Sequence, residues 1–113
     1  MAKSMEDGIF KGRTGWEYCT GNDPAQEIEK VIIRRNSMDL VIEFERDGLY
    51  TATLHRTESD STYRGQFTFR NGGNIENGTA SCRLFESGDD IILFGRWIEN
   101  STPFYWWAEI YRE

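Results

Sequence analysis

The chain is poor in the residue types that usually announce a chemistry. Of its 113 residues, two are cysteine, two are proline and one is histidine. Cys19 and Cys82 are too few for a disulfide scaffold; they read as reduced thiols, Cys82 packed as a small apolar residue, with a single bridge between them as the less favoured alternative. Together with His55 they make no zinc set. His55 falls on a polar strand face among Thr51 and Thr53, with no sign of a nucleophile beside it. No catalytic residue is therefore expected, and the chain reads as non-enzymatic.

Long apolar runs are missing too. None approaches the roughly 18 residues that suggest a membrane-spanning helix. The opening turns acidic at Glu6-Asp7, where a signal peptide would turn apolar. Residues 1–7 read as a loose tail before one domain over 8–113, in a protein expected in the cytoplasm with no membrane partner. Positive charge is also short. With 13 Lys and Arg against 19 Asp and Glu, the net charge of −6 repels a phosphate backbone and disfavours nucleic acid. Asp89-Asp90 lacks the ligand array of a calcium loop, and Gly72-Gly73 lacks the helix that a phosphate cradle needs. No metal or cofactor is expected. Asn77-Gly78-Thr79 and Asn100-Ser101-Thr102 match the glycosylation pattern but read as turns.

What the chain has in quantity is aromatic residues, at 14%, and 11 glycines, spread over segments of period-two alternation. Ile9, Phe10, Trp16 and Tyr18 mark a first strand or strand pair over residues 8–20, which Gly12 and Gly15 could kink. Asp23 as N-cap, Pro24 at the first helical position and Gln26 in the capping-box position predict one short helix over residues 24–30. The β-branched run 30–35 follows, then Asn36-Ser37 as a turn. Leu40, Ile42 and Phe44 then lead to Asp47-Gly48, a strong hairpin signal. Tyr50, Ala52 and Leu54 share one face of the returning strand. Tyr63, Gly65, Phe67 and Phe69 share one face of the next, and Ala80, Cys82 and Leu84 one face of the strand after it. Two last strands, about 90–99 and 103–112, are joined at Asn100-Ser101.

The result is roughly eight short strands joined by short turns, hence an antiparallel meander. The fold class predicted is all-β, an up-and-down barrel with one short helix, since closure leaves no exposed edge. The strand bearing Gly12 to Trp16, the short helix, the consecutive hairpins and the closing strand with Trp106 and Trp107 resemble the lipocalin, fatty-acid-binding and avidin group of barrels. The resemblance is architectural, because the Gly-x-Trp spacing of lipocalins is absent and Gly15 and Trp16 are adjacent. It implies binding of a small, often apolar molecule inside the barrel.

Alternation directs Tyr50, Tyr63, Phe67, Phe69, Trp97, Phe104 and Trp106 inward. They are the candidate lining of a site for a small apolar or aromatic ligand, and they could equally fill the core. A two-residue turn at Asn100-Ser101 pairs Trp97 with Phe104, Gly95 with Trp106, Leu93 with Ala108 and Ile91 with Ile110, with Gly95 leaving room for the Trp106 indole. The opposite face carries Ile92, Phe94, Arg96, Ile98, Tyr105, Trp107, Glu109 and Tyr111, too apolar for an ordinary solvated surface. Three arrangements suit it. The N-terminal segment or the helix covers it; or Ile92, Phe94, Arg96, Tyr105 and Trp107 form the interface of a homodimer or a protein partner; or the face lines a cavity with Arg96, Tyr105 and Glu109 as polar groups. Arg64, Arg70 and Arg83, with Arg56, are expected near one another on the outer face, either paired with acidic or Thr neighbours or forming an anion site.

Overall fold

In a computed structural model, which describes residues 8–17, 26–44, 48–57 and 59–112, the alternating segments become eight strands. They are β1 (Gly8–Trp16), β2 (Gln26–Arg34), β3 (Ser37–Phe44), β4 (Gly48–His55), β5 (Thr62–Asn71), β6 (Asn74–Ser87), β7 (Asp90–Glu99) and β8 (Thr102–Arg112). Each pairs antiparallel with the next, and β1 pairs with β8, so the sheet closes into a barrel. The pairs anticipated across β7 and β8 are the pairs found, from Trp97 with Phe104 to Ile91 with Ile110. Their turn works because Asn100 (φ 54°) and Ser101 (φ 64°) both take the left-handed conformation that a tight hairpin of this twist requires.

The short helix over 24–30 is not formed. Residues 26–30 open β2, and 24–25 lie outside the described residues. The misleading signal was the capping motif of Asp23, Pro24 and Gln26. The strand carries a β-bulge instead. The register of β2 shifts at Glu29-Lys30 against both β1 and β3, so both of those side chains stay exposed while Ile28 and Val31 both turn inward. Pairing on two sides outweighs a capping motif that could support only a turn or two of helix. The turn between β2 and β3 lies at Arg35-Asn36, one residue earlier than Asn36-Ser37, and Asn77 belongs to β6 rather than to a turn. Tyr18, Cys19 and the predicted turn at Asp47 fall outside the described residues.

Inside, the strands contribute one continuous core. Phe10, Phe67, Trp97 and Trp106 are fully buried in it. Side chains of that kind remove about 150–250 Å² each from water, which at ~25 cal/mol per Å² is about 4–6 kcal/mol apiece as an upper bound. The buried polar exception among the described residues is Thr14, whose hydroxyl donates to the Trp107 carbonyl at 2.6 Å.

The barrel bends where side chains are missing. A Cβ at Gly95 would overlap the Ser81 carbonyl oxygen and come within 2.6 Å of the Cys82 Cα, and one at Gly65 would overlap the Thr53 carbonyl. At these points neighbouring strands cross too closely for any side chain. Trp106, paired with Gly95, uses the space: its indole reaches past β7 and donates Nε1–H to the Ser81 carbonyl at 2.9 Å.

Candidate functional site

The seven rings assigned to the interior all belong to the core or pack against it. Tyr50, Tyr63, Phe67, Trp97 and Trp106 are buried, and Phe69 and Phe104 are partly buried against them. Six of the seven lie toward the end of the barrel where β4 begins and β7 ends, and Tyr63, at the start of β5, lies toward the other end. Phe67 stacks on Trp97 with centroids 4.3 Å apart, Tyr50 stacks on Phe69 at 4.3 Å, and Trp97 meets Trp106 edge-on at 5.3 Å. Trp16 joins the cluster from β1, 5.6 Å from Tyr50 and 5.4 Å from Trp97. Its place at the end of the opening strand, in phase with Phe10, was the available signal for it.

One carboxylate serves this group. Glu99 ends β7 in phase with Trp97 and is partly buried. Its Oε1 accepts hydrogen bonds from the Trp97 indole N–H and the Tyr50 hydroxyl, both at 3.1 Å. Sequence reasoning missed Glu99, although its spacing of two from Trp97 already placed it on the inner face.

On the outside, β7 and β8 form the apolar face expected from the sequence, and Phe85 of β6 extends it. Phe85, Phe94, Ile98, Tyr105 and Tyr111 are each 41–49% exposed. Phe94 stacks on Tyr105 with centroids 5.8 Å apart and planes 10° from parallel, and the Arg96 guanidinium lies 4.9 Å from the Tyr105 ring centre. Of the five residues assigned to an interface, Phe94, Arg96 and Tyr105 are exposed, while Ile92 and Trp107 are partly buried. Trp107 is half covered because its indole lies against Gly15 of β1, where a Cβ would be 2.7 Å from the ring. This face does not line the barrel interior: Arg96 and Tyr105 are exposed on the outside, and Glu109 is half-buried in a surface pocket with Arg13 and Tyr111. Glu109 is bound instead to Arg13, Nη2 to Oε1 at 3.1 Å.

The arginines divide differently from the expectation. Arg64 and Arg83 are neighbours on the outer face, but the third member is Arg96, not Arg70 or Arg56. Arg64 and Arg96 stand on either side of Ser81, and Arg83 follows two residues along β6. Arg70 is six residues along β5 from Arg64, about 20 Å at strand rise. Arg56 turns to the end of the barrel, donating to the Arg35 carbonyl at 3.2 Å with its guanidinium 5.6 Å from the Tyr63 ring centre. A shallow groove of about 290 Å³ runs between Arg64 and Arg96 over Thr79 and Ser81.

Other groups are plainer. His55 is exposed at the end of β4, cross-strand from Ser37 and Arg64. Cys82 is a free, buried thiol, and burial pushes its pKa up to about 12. Glu29, hydrogen-bonded to Glu43 with Glu27 nearby, raises the Glu43 carboxyl above the usual range. Arg64, hydrogen-bonded to Asp60, holds the Asp60 carboxyl below it, helped by the Thr62 backbone N–H. Among the described residues no three His, Cys, Asp or Glu side chains are grouped to hold a metal ion, and no helix is long and apolar enough to cross a membrane.

The chain matches no family model, no curated protein and no solved structure. Its likeness to the lipocalin, fatty-acid-binding and avidin group is thus one of architecture, the closed antiparallel barrel of eight strands.

Proposed function

We propose that this protein is a non-enzymatic interaction module, acting in the cytoplasm, that binds a protein partner through the outer face of β6–β8. The observation that carries this reading is the exposure of Phe94 and Tyr105 side by side, stacked, with Arg96 over the second ring. Aromatic and arginine side chains clustered at an exposed apolar centre make up the composition of interface hot spots. The test is a photo-crosslinking residue placed at Phe94 and, as a control, at Thr51 on the outer face of β4, in the native cell. A discrete adduct from position 94 and none from 51 is expected. Equal labelling from both positions, or none from 94, would sink the reading.

A second reading, a small apolar or aromatic ligand at the aromatic end of the barrel, is favoured by Glu99. A carboxylate oriented by Tyr50 and Trp97 supplies the polar anchor that an apolar site needs. The interior rings already lie against one another at centroid distances of 4.3–5.6 Å, so such a ligand must displace Phe69 or Phe104. Native mass spectrometry and quenching of tryptophan fluorescence test it, and a protein that carries no adduct and whose emission no apolar dye alters refutes it.

A further inference from the structure

We propose that the partner meets this face with carboxylate groups, which Arg83 and Arg96 hold beside the Phe94–Tyr105 stack. The inference rests on the reading of β6–β8 as a partner-binding face and names the chemistry of what binds there. Ser81 is directly cross-strand from Arg64 on β5 and from Arg96 on β7, and Arg83 lies on the same side of β6, cross-strand from Phe94. Direct neighbours on one sheet face stand about 5 Å apart and diagonal ones about 7–8 Å, so Arg83 and Arg96 share one stretch of the outer face with Phe94, and Arg64 lies one strand further on.

Their charges are not equally engaged. Arg64 is ion-paired with Asp60. Among the described residues, Arg83 and Arg96 have no carboxylate partner. The Arg96 guanidinium lies 4.9 Å from the Tyr105 ring centre, and an arginine held over an aromatic ring still has N–H donors to offer a carboxylate. On a chain of net charge −6, two unneutralised arginines beside an exposed aromatic pair are a local exception to the surface as a whole.

The same observations argue against two other occupants. A second copy would bring the same two cations, while the nearby carboxylates are already engaged: Glu109 by Arg13, and Glu17 by the Tyr105 backbone N–H at 2.9 Å. A polyphosphate chain would engage the arginines but brings no apolar group to cover the exposed Phe94–Tyr105 stack. A protein segment that presents Asp or Glu next to an apolar anchor satisfies the arginines and the rings together.

The experiment titrates the full chain, isotope-labelled for NMR, with a random copolymer of Glu and Tyr and, separately, with a copolymer of Lys and Tyr. Light scattering follows the chain alone. The expected result is a monomer whose Ser81, Arg83, Phe94 and Arg96 amides shift with the acidic copolymer only, more weakly as salt is raised. Arg83→Glu with Arg96→Glu should cost at least about tenfold in affinity. Arg83→Gln with Arg96→Gln should fall between, and both variants should keep the native tryptophan emission. Absence of binding, equal binding of the basic copolymer, or undiminished binding by the reversed variant overturns the inference. So does a dimer that the charge reversal breaks. If crosslinking from position 94 persists in the charge-reversed variant, the interaction face stands and its acidic partner falls. No crosslink from that position removes both.

Discussion

Replacing Gly95 by alanine should damage the barrel far more than the addition of one methyl suggests. The new Cβ would overlap the Ser81 carbonyl oxygen and approach the Cys82 Cα to 2.6 Å. Both are strand backbone and cannot rotate away. The same carbonyl accepts the Trp106 indole N–H at 2.9 Å, inside a core where Trp106 is fully buried. Two costs therefore combine. Overpacking a filled site costs about 1–3 kcal/mol, and a buried donor that loses its acceptor costs about 1–3 kcal/mol more. The sum, about 2–6 kcal/mol, is a large part of the roughly 5–15 kcal/mol that holds a domain folded. At about 4–8 °C per kcal/mol for a domain near this size, the midpoint should fall by more than about 8 °C. Urea and thermal unfolding, followed by tryptophan emission, measure it. A Gly95→Ala protein within about 0.5 kcal/mol of the parent would refute the claim that β6 and β7 cross too closely there for a side chain.

Four further outcomes are expected. Phe67→Ala, which removes a ring stacked on Trp97, should cost about 3–5 kcal/mol in urea unfolding. Tyr105→Ser should leave stability within about 0.5 kcal/mol while it abolishes crosslinking from position 94, since Tyr105 is exposed. Cys82 should resist a thiol reagent at pH 8 until the barrel unfolds, because burial holds its pKa at about 12; a rapid reaction in the native state would contradict this. Glu43→Gln should stabilise the protein at pH 7. Its carboxyl binds a proton more tightly folded than unfolded, so the repulsion it shares with Glu29 weakens the fold at neutral pH and is relieved as pH falls through the raised value toward 4.5. The advantage of the variant should therefore vanish in acid, and a pH-independent difference in unfolding free energy would count against the cause given.

The strand order, the closure and the inward set were legible because a side-chain period of two assigns a face without knowledge of distant contacts. Even the register of β7 on β8 followed from one turn dipeptide, Asn100-Ser101. What was not legible depended on neighbours in space. Ile28 and Val31 share a face through a bulge that β1 and β3 impose from either side, and the caps at Asp23, Pro24 and Gln26, read in isolation, point to a helix there instead. The arginine group was partly legible for a related reason. Alternation put Arg64, Arg70 and Arg83 on one side, but the stagger of β5, β6 and β7 decides which arginines meet, and it selects Arg96. The partial cover of Trp107 by Gly15 depends on the pairing of β1 with β8, the contact most distant in sequence.

That same pairing has a consequence for biosynthesis. Phe10 lies across from Arg112, so the seam between first and last strands cannot zip until Arg112 has left the ribosome, about a hundred residues after Phe10. Until then the growing sheet offers an open hydrogen-bonding edge at each end, and a chain stalled before β8 would be a template for pairing with its neighbours on the polysome.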